Sequence, residues 1–223
     1  MAEEIPLSDK SFLEDEPQED LTTTMKKGNK ILLGFFIVLL VAVVSLFIYQ
    51  EYRYNAFYFT YNGFEVHKVV DNGVQYKINF ILTDNPQPYI VNVRNDPRAL
   101  EAISLDPAVL SQVLKRHLFI TIEENATGVT VVAALEISKI TGNPLLFNIP
   151  TEGAVVANPL DIDVPVKTCA DVTAQQGIIY LKQGNENRIY QENGCVIIEG
   201  VDEYALIEGA DRLSLTLLGI MNP

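Results

Sequence analysis

Two histidines, two cysteines and 29 carboxylates are the groups in this chain whose types could do chemistry. Their spacing offers little. His67 has Glu65 two positions before it, on the same face of a strand. Neither His67 nor His117 has a cysteine, a second histidine or a further carboxylate at metal-ligand spacing. An exposed strand histidine and a helix-end histidine are the expectation for them. Cys169 and Cys195 lack the two further ligands that a zinc site needs, so neither a metal nor another cofactor is expected. The chain has no G-x-S-x-G, S-x-x-K, H-E-x-x-H, phosphate-binding loop or dinucleotide fingerprint, which removes support for the enzyme classes built on them. One polar constellation remains. If the strands ending at Val93 and Ile122 were parallel neighbours, Arg94, Asn95 and Asp96 would stand beside Glu123, Glu124 and Asn125, at the carboxyl edge where open α/β sheets bind ligands. Arg94, Asp96, Glu124 and Asn125 are therefore the candidate ligand-binding residues, with no catalytic residue assigned. Helix N-caps call for the same Asp and Asn, and that is the competing reading.

The elements that must position these residues follow from periodicity. Phe57–Tyr61 and Phe64–Val69 flank an Asn62-Gly63 turn, Val74–Leu82 alternates after Asp71-Asn72-Gly73, and Tyr89–Val93 resumes after the break at Asp84–Pro88, so residues 57–93 read as a meander. Asn95-Asp96-Pro97 and Asp106-Pro107 each carry a helix start signal, polar residue before proline. Leu118–Ile122 reads as a strand, Val129–Thr141 as a helix stopped at Gly142-Asn143-Pro144, and Leu145–Ile149 as a strand within an irregular stretch to Pro165. Ile178–Lys182 and Arg188–Gln191 read as a hairpin turning at Gly184–Asn187. A second turn, Asn193-Gly194, leads to Cys195–Glu199. A closing helix starts near Asp202, with a stripe of Leu206, Ile207, Ala210, Leu213, Leu217 and Leu218. The order predicts one α/β or α+β domain with a mixed sheet and a C-terminal helix.

Ahead of that domain lie 19 residues without a charge, Ile31–Tyr49. As a helix they would reach about 28 Å, the thickness of a bilayer core. Gln50-Glu51-Tyr52-Arg53 is not a small-residue cleavage site, so the segment is expected to stay as an anchor, with Tyr49, Tyr52 and Tyr54 at the headgroups. Residues 1–25 carry eight carboxylates and too few apolar residues for a core. The expected division is a disordered acidic tail with a basic flank (1–30), a transmembrane helix (31–50) and a folded domain (51–223). Lys26, Lys27 and Lys30 precede the span and only Arg53 closely follows it, which predicts a single-pass protein of the cell membrane with a cytoplasmic N-terminus and an outside domain. That domain has 21 acidic and 12 basic residues with no basic stripe, arguing against nucleic acid and leaving the lipid bilayer and an extracytoplasmic protein as expected partners.

An outside location has two consequences. Asn125-Ala126-Thr127 becomes a usable N-glycosylation sequon. Cys169 and Cys195, the only cysteines, are expected to form a disulfide, the alternative being two buried free thiols. Tyr61-Asn62-Gly63-Phe64, Cys195-Val196-Ile197-Ile198-Glu199-Gly200, and Ala210-Asp211-Arg212-Leu213 followed by Leu217-Leu218-Gly219-Ile220-Met221, resemble a family of uncharacterised archaeal single-span membrane proteins. The resemblance implies a source and a location and carries no functional residue. The leading expectation is a membrane-anchored extracytoplasmic module for binding or assembly. A hydrolase working through carboxylate acid and base groups is the alternative, and a pocket with two carboxylates of shifted pKa would favour it. A pilin-like subunit is the third reading, prompted by Lys26-Lys27-Gly28; Leu33 stands where such subunits generally place glutamate.

Overall fold

The structure is a computed structural model describing residues 21–71, 73–82, 85–157 and 163–223. The expected disorder of the acidic tail falls largely on residues 1–20, outside the described ones. The chain divides into two units at Arg53 and Tyr54. The first is carried by helix α1 (Leu21–Phe57), longer than the uncharged run because no proline stands on either side of it to end the helix. Its side chains from Lys30 to Ala56 are exposed, and Ser45 Oγ satisfies itself on the Val41 carbonyl at 2.8 Å. By length and composition α1 can cross a membrane. The aromatic stretch after the uncharged run, expected to lead into a strand at Phe57, stays helical through that residue.

The second unit begins with the anticipated meander: β1 (Tyr58–Tyr61), β2 (Phe64–Val70), β3 (Val74–Leu82) and β4 (Asn85–Val93), all antiparallel. Asn62 (φ 48°) and Gly63 (φ 86°) both take left-handed backbone, as a two-residue turn matched to strand twist requires. Alternation sends Val66, Tyr76, Ile78, Val91 and Val93 to one buried face.

The expected mixed sheet is present, but it does not include the meander, which forms a second, purely antiparallel sheet. The one-turn helix α2 (Pro97–Leu100), β5 (Ser104–Leu105), α3 (Val109–Val113), β6 (His117–Ile122), α4 (Gly128–Thr141), β7 (Thr151–Val155), β8 (Gln176–Gln183), β9 (Arg188–Glu192), β10 (Cys195–Gly200) and α5 (Glu203–Leu217) follow. Their six strands lie in the order β5-β9-β10-β8-β6-β7, with β9 antiparallel to β10 and the remaining pairs parallel. Leu145–Ile149 is a turn, not a strand: Asn143 Oδ1 takes the Leu145 N–H, and Asn148 (φ 51°) turns the chain toward β7. Gly184–Asn187 is a crossover, not a hairpin. β10, buried at all six positions, takes the place between β8 and the more polar β9. Glu199 on β10 fixes that crossover by accepting the Asn185 N–H (3.0 Å) and the Arg188 guanidinium (3.0 Å), while the Tyr190 hydroxyl donates to it at 3.2 Å.

The layers follow from the two faces of β10. Val196 and Ile198 point toward α4 and α5; Cys195 and Ile197 point the other way, under Cys169 and Val172. The 3₁₀ turn Cys169–Asp171 is bridged to β10 by the expected disulfide, its Cα atoms 5.2 Å apart. The buried meander face joins the same apolar cluster as α4 and α5, so the helix pair lies between two sheets. That explains why α5 is buried nearly all round from Ala205 to Thr216 and not along one stripe. Each large aliphatic side chain here, Leu213 or Ile198, contributes about 1.5–3 kcal/mol by burial.

Candidate functional site

The helix-between-sheets arrangement leaves a cavity of about 290 Å³ where β4 crosses α4 and α5. Helical spacing aims its polar groups: Glu136 and Lys139 (i, i+3) from α4, Asp211 and Ser214 (i, i+3) from α5. Tyr89, Val91, Val93 and Ile140 supply apolar wall. A smaller pocket of about 110 Å³ adjoins it, sharing Asn92, Val93, Glu136 and Lys139 and adding Gln75 and Arg94.

Asp211 is 1% exposed, and its Oδ2 accepts three hydrogen bonds, each of 2.9 Å, from the Arg94 N–H, the Asn95 N–H and Asn95 Nδ2. Burial dominates its ionisation: loss of water pushes the carboxyl up to about 7, the Glu136 charge pushes the same way, and the three donors only partly oppose them. Glu136 is paired, with Arg94 Nε at 2.9 Å and Lys139 Nζ at 2.9 and 3.0 Å. Ser214, 2% exposed, has a hydroxyl with no partner among the described residues. Buried hydroxyls normally find one, and this oxygen is itself closed off from solvent, so it stands as an unmet hydrogen bond in the packing of α5.

Of the residues singled out from sequence, Arg94 belongs to this site. Asp96 sits beside it but works as a cap: it accepts the Arg98 N–H at 3.0 Å and pairs with the Arg98 guanidinium. Burial raises the Asp96 carboxyl, yet the Arg98 bonds outweigh it and hold the pKa below its ordinary value. Glu124 and Asn125 are exposed on the β6–α4 loop. The strand pairing that would align the two groups does not form, because β4 and β6 lie in different sheets. No hydrogen bond or ion pair among the described residues joins them. The loop is tied instead to Glu203, which receives the Thr127 N–H at 2.9 Å and the Thr127 and Thr130 hydroxyls at 2.6 and 3.0 Å. Asn125, the sequon residue, faces solvent.

His67 stacks on Tyr58 with ring centroids 4.1 Å apart, and His117 stacks on Phe119 at 4.7 Å. No group of three metal-ligating side chains exists among the described residues. Asp211, Ser214, Glu136 and Lys139 were not singled out from sequence. The available signal was that Asp211 and Ser214 continue the helical row of Ile207 and Leu218, polar residues in an otherwise apolar face. No protein-family model, no curated protein and no solved structure matches this chain.

Proposed function

We propose that this chain is a membrane-anchored extracytoplasmic binding module, of the archaeal single-span kind its sequence resembles, with the β4–α4–α5 cavity as its ligand site. In this reading α1 crosses the bilayer, Lys26, Lys27 and Lys30 stay on the cytoplasmic side, and the unit from Tyr54 onward faces out. The observation that carries the binding reading is the cavity itself, where the almost fully buried Asp211 carboxyl meets Glu136 and Lys139 between β4, α4 and α5. A core built only for packing fills such a place with apolar side chains. The test is a thermal-shift screen of the detergent-extracted full chain against small polar metabolites. A stabilising compound whose shift disappears in Asp211→Asn and Lys139→Gln supports the reading. Shifts that are equal in the wild type and both variants overturn it.

One observation favours the hydrolase reading as the second. A carboxyl pushed up to about 7, as at Asp211, can give and take a proton near neutral pH. Turnover of a chromogenic ester or glycoside that is lost in Asp211→Asn would move the assignment from binding to catalysis.

A further inference from the structure

We propose that Asn125 carries an N-linked glycan, attached while the chain is still emerging and before α5 has been made; this rests on the outward orientation proposed above and not on the cavity. Asn125-Ala126-Thr127 supplies the acceptor triplet, with no proline at its centre. The fold leaves room for the sugar. Asn125 and Thr127 are both exposed on the loop between β6 and α4, and a Cβ added at Gly128 would meet nothing within 4 Å. The hydrogen bonds of this loop fall on Glu123, Ala126 and Thr127 and not on the Asn125 amide. None of these residues lines the β4–α4–α5 cavity, so a glycan here leaves that site open.

The step joins Asn125 Nδ2 to the anomeric carbon of a sugar carried on a polyprenyl phosphate. The bond from that carbon to the phosphate oxygen breaks, the lipid phosphate leaves with the electron pair, and one Nδ2 proton passes to a base of the membrane transferase. An amide nitrogen is a weak nucleophile, so the acceptor must be held closely, and the threonine hydroxyl of the triplet is the handle. In the folded chain that handle is spent. Thr127 Oγ1 donates to Glu203 at 2.6 Å and accepts the Val129 N–H at 3.2 Å, while the Thr127 N–H goes to the other Glu203 oxygen at 2.9 Å. Bonds to an ionised carboxylate are among the stronger ones. Glu203 stands 76 residues beyond Thr127. At ordinary rates of synthesis it follows by roughly 4–15 s, and that is the interval in which the triplet is open to the transferase.

The experiment takes the full chain from the membranes of its source cells and measures the mass of the peptide that contains Asn125. A glycan mass on that peptide, absent from Asn125→Gln and kept in Thr127→Ser, supports the proposal. A melting curve of the Asn125→Gln protein establishes that it is folded. An unmodified peptide in the wild type, or a mass increase that persists in Asn125→Gln, overturns it. Protease added to intact cells separates the two readings: an unmodified domain that is digested leaves the orientation standing, and an unmodified domain that is protected removes both. Pulse–chase labelling tests the timing. A glycosylated fraction fixed from the first appearance of the full-length chain supports attachment during synthesis, and a fraction that climbs during the chase overturns it.

Discussion

Ser214→Ala should make the domain more stable, which is the reverse of the usual result for a buried position. In the wild type the hydroxyl has been taken from water and given no partner among the described residues. That unmade bond costs about 1–3 kcal/mol. Alanine removes the group, leaves a void no larger than one oxygen beside an existing cavity, and gains a few tenths of a kcal/mol in helix propensity in the last turn of α5. The gain is offset in part by lost dispersion contacts, so the expected net is about 1–2 kcal/mol. For a domain of this size that is a rise in melting temperature of roughly 2–8 °C. The assay is thermal or urea unfolding of the two full-length proteins in the same detergent, without added ligand, compared at pH 7.5. A variant less stable than wild type by more than about 0.5 kcal/mol would mean the hydroxyl is satisfied after all, by a cavity water, and the case for a vacant polar position would be lost.

Asp211 supplies a pH signature. Its folded pKa of about 7 lies above its ordinary 3.8, so the folded state holds the proton more tightly. Stability from this group is complete at acid pH and falls as pH rises through roughly 4 to 7, by at most about 4 kcal/mol. Urea midpoints across that range should show the slope in wild type and lose it in Asp211→Asn. Asp96, Asp171, Glu199 and Glu203 are held below their ordinary values and act in the opposite sense, at more acid pH. Reducing the Cys169–Cys195 bridge reopens a 26-residue loop and should cost about 3.5 kcal/mol in the chain-entropy account, read as a lower urea midpoint with dithiothreitol. Gly177→Ala would set a Cβ 2.6 Å from the Gln112 carbonyl oxygen, a backbone atom, so α3 must shift and unfolding should come about 1–3 kcal/mol earlier. Protease added to intact cells should digest the chain beyond about residue 55 and spare the acidic tail; the opposite pattern would reverse the proposed orientation.

Local chemistry made most elements legible. Asn62-Gly63 and Asn193-Gly194 predict their turns because both positions need left-handed backbone, and Asp96, Asp202 and Pro97 mark helix starts by the hydrogen bonds they can or cannot make. Strand order was not legible. Nothing local to Gly184–Asn187 says that β10, still ahead in the chain, will enter between β8 and β9. The decisive partner, Glu199, is remote in sequence. The same holds for the site. Asp211 meets the Arg94 and Asn95 amides across more than a hundred residues, and only the packing of the meander over α5 brings them together. Arg94 was found because it follows a strand end, while Ser214 looked like one more small residue on a helix.

The meander is made first and its cover is made late. Val66, Ile78, Val91 and Val93 present a finished apolar face that has no lid until α5 has left the ribosome, and the Asn62 amide waits for the Ile220 carbonyl, which it meets at 3.1 Å. Its pairings join only consecutive strands and can form at once, yet nothing local covers the apolar face they create. An emerging chain therefore carries a sticky half-structure through most of its synthesis, and sequestering it in that interval is a task for a chaperone.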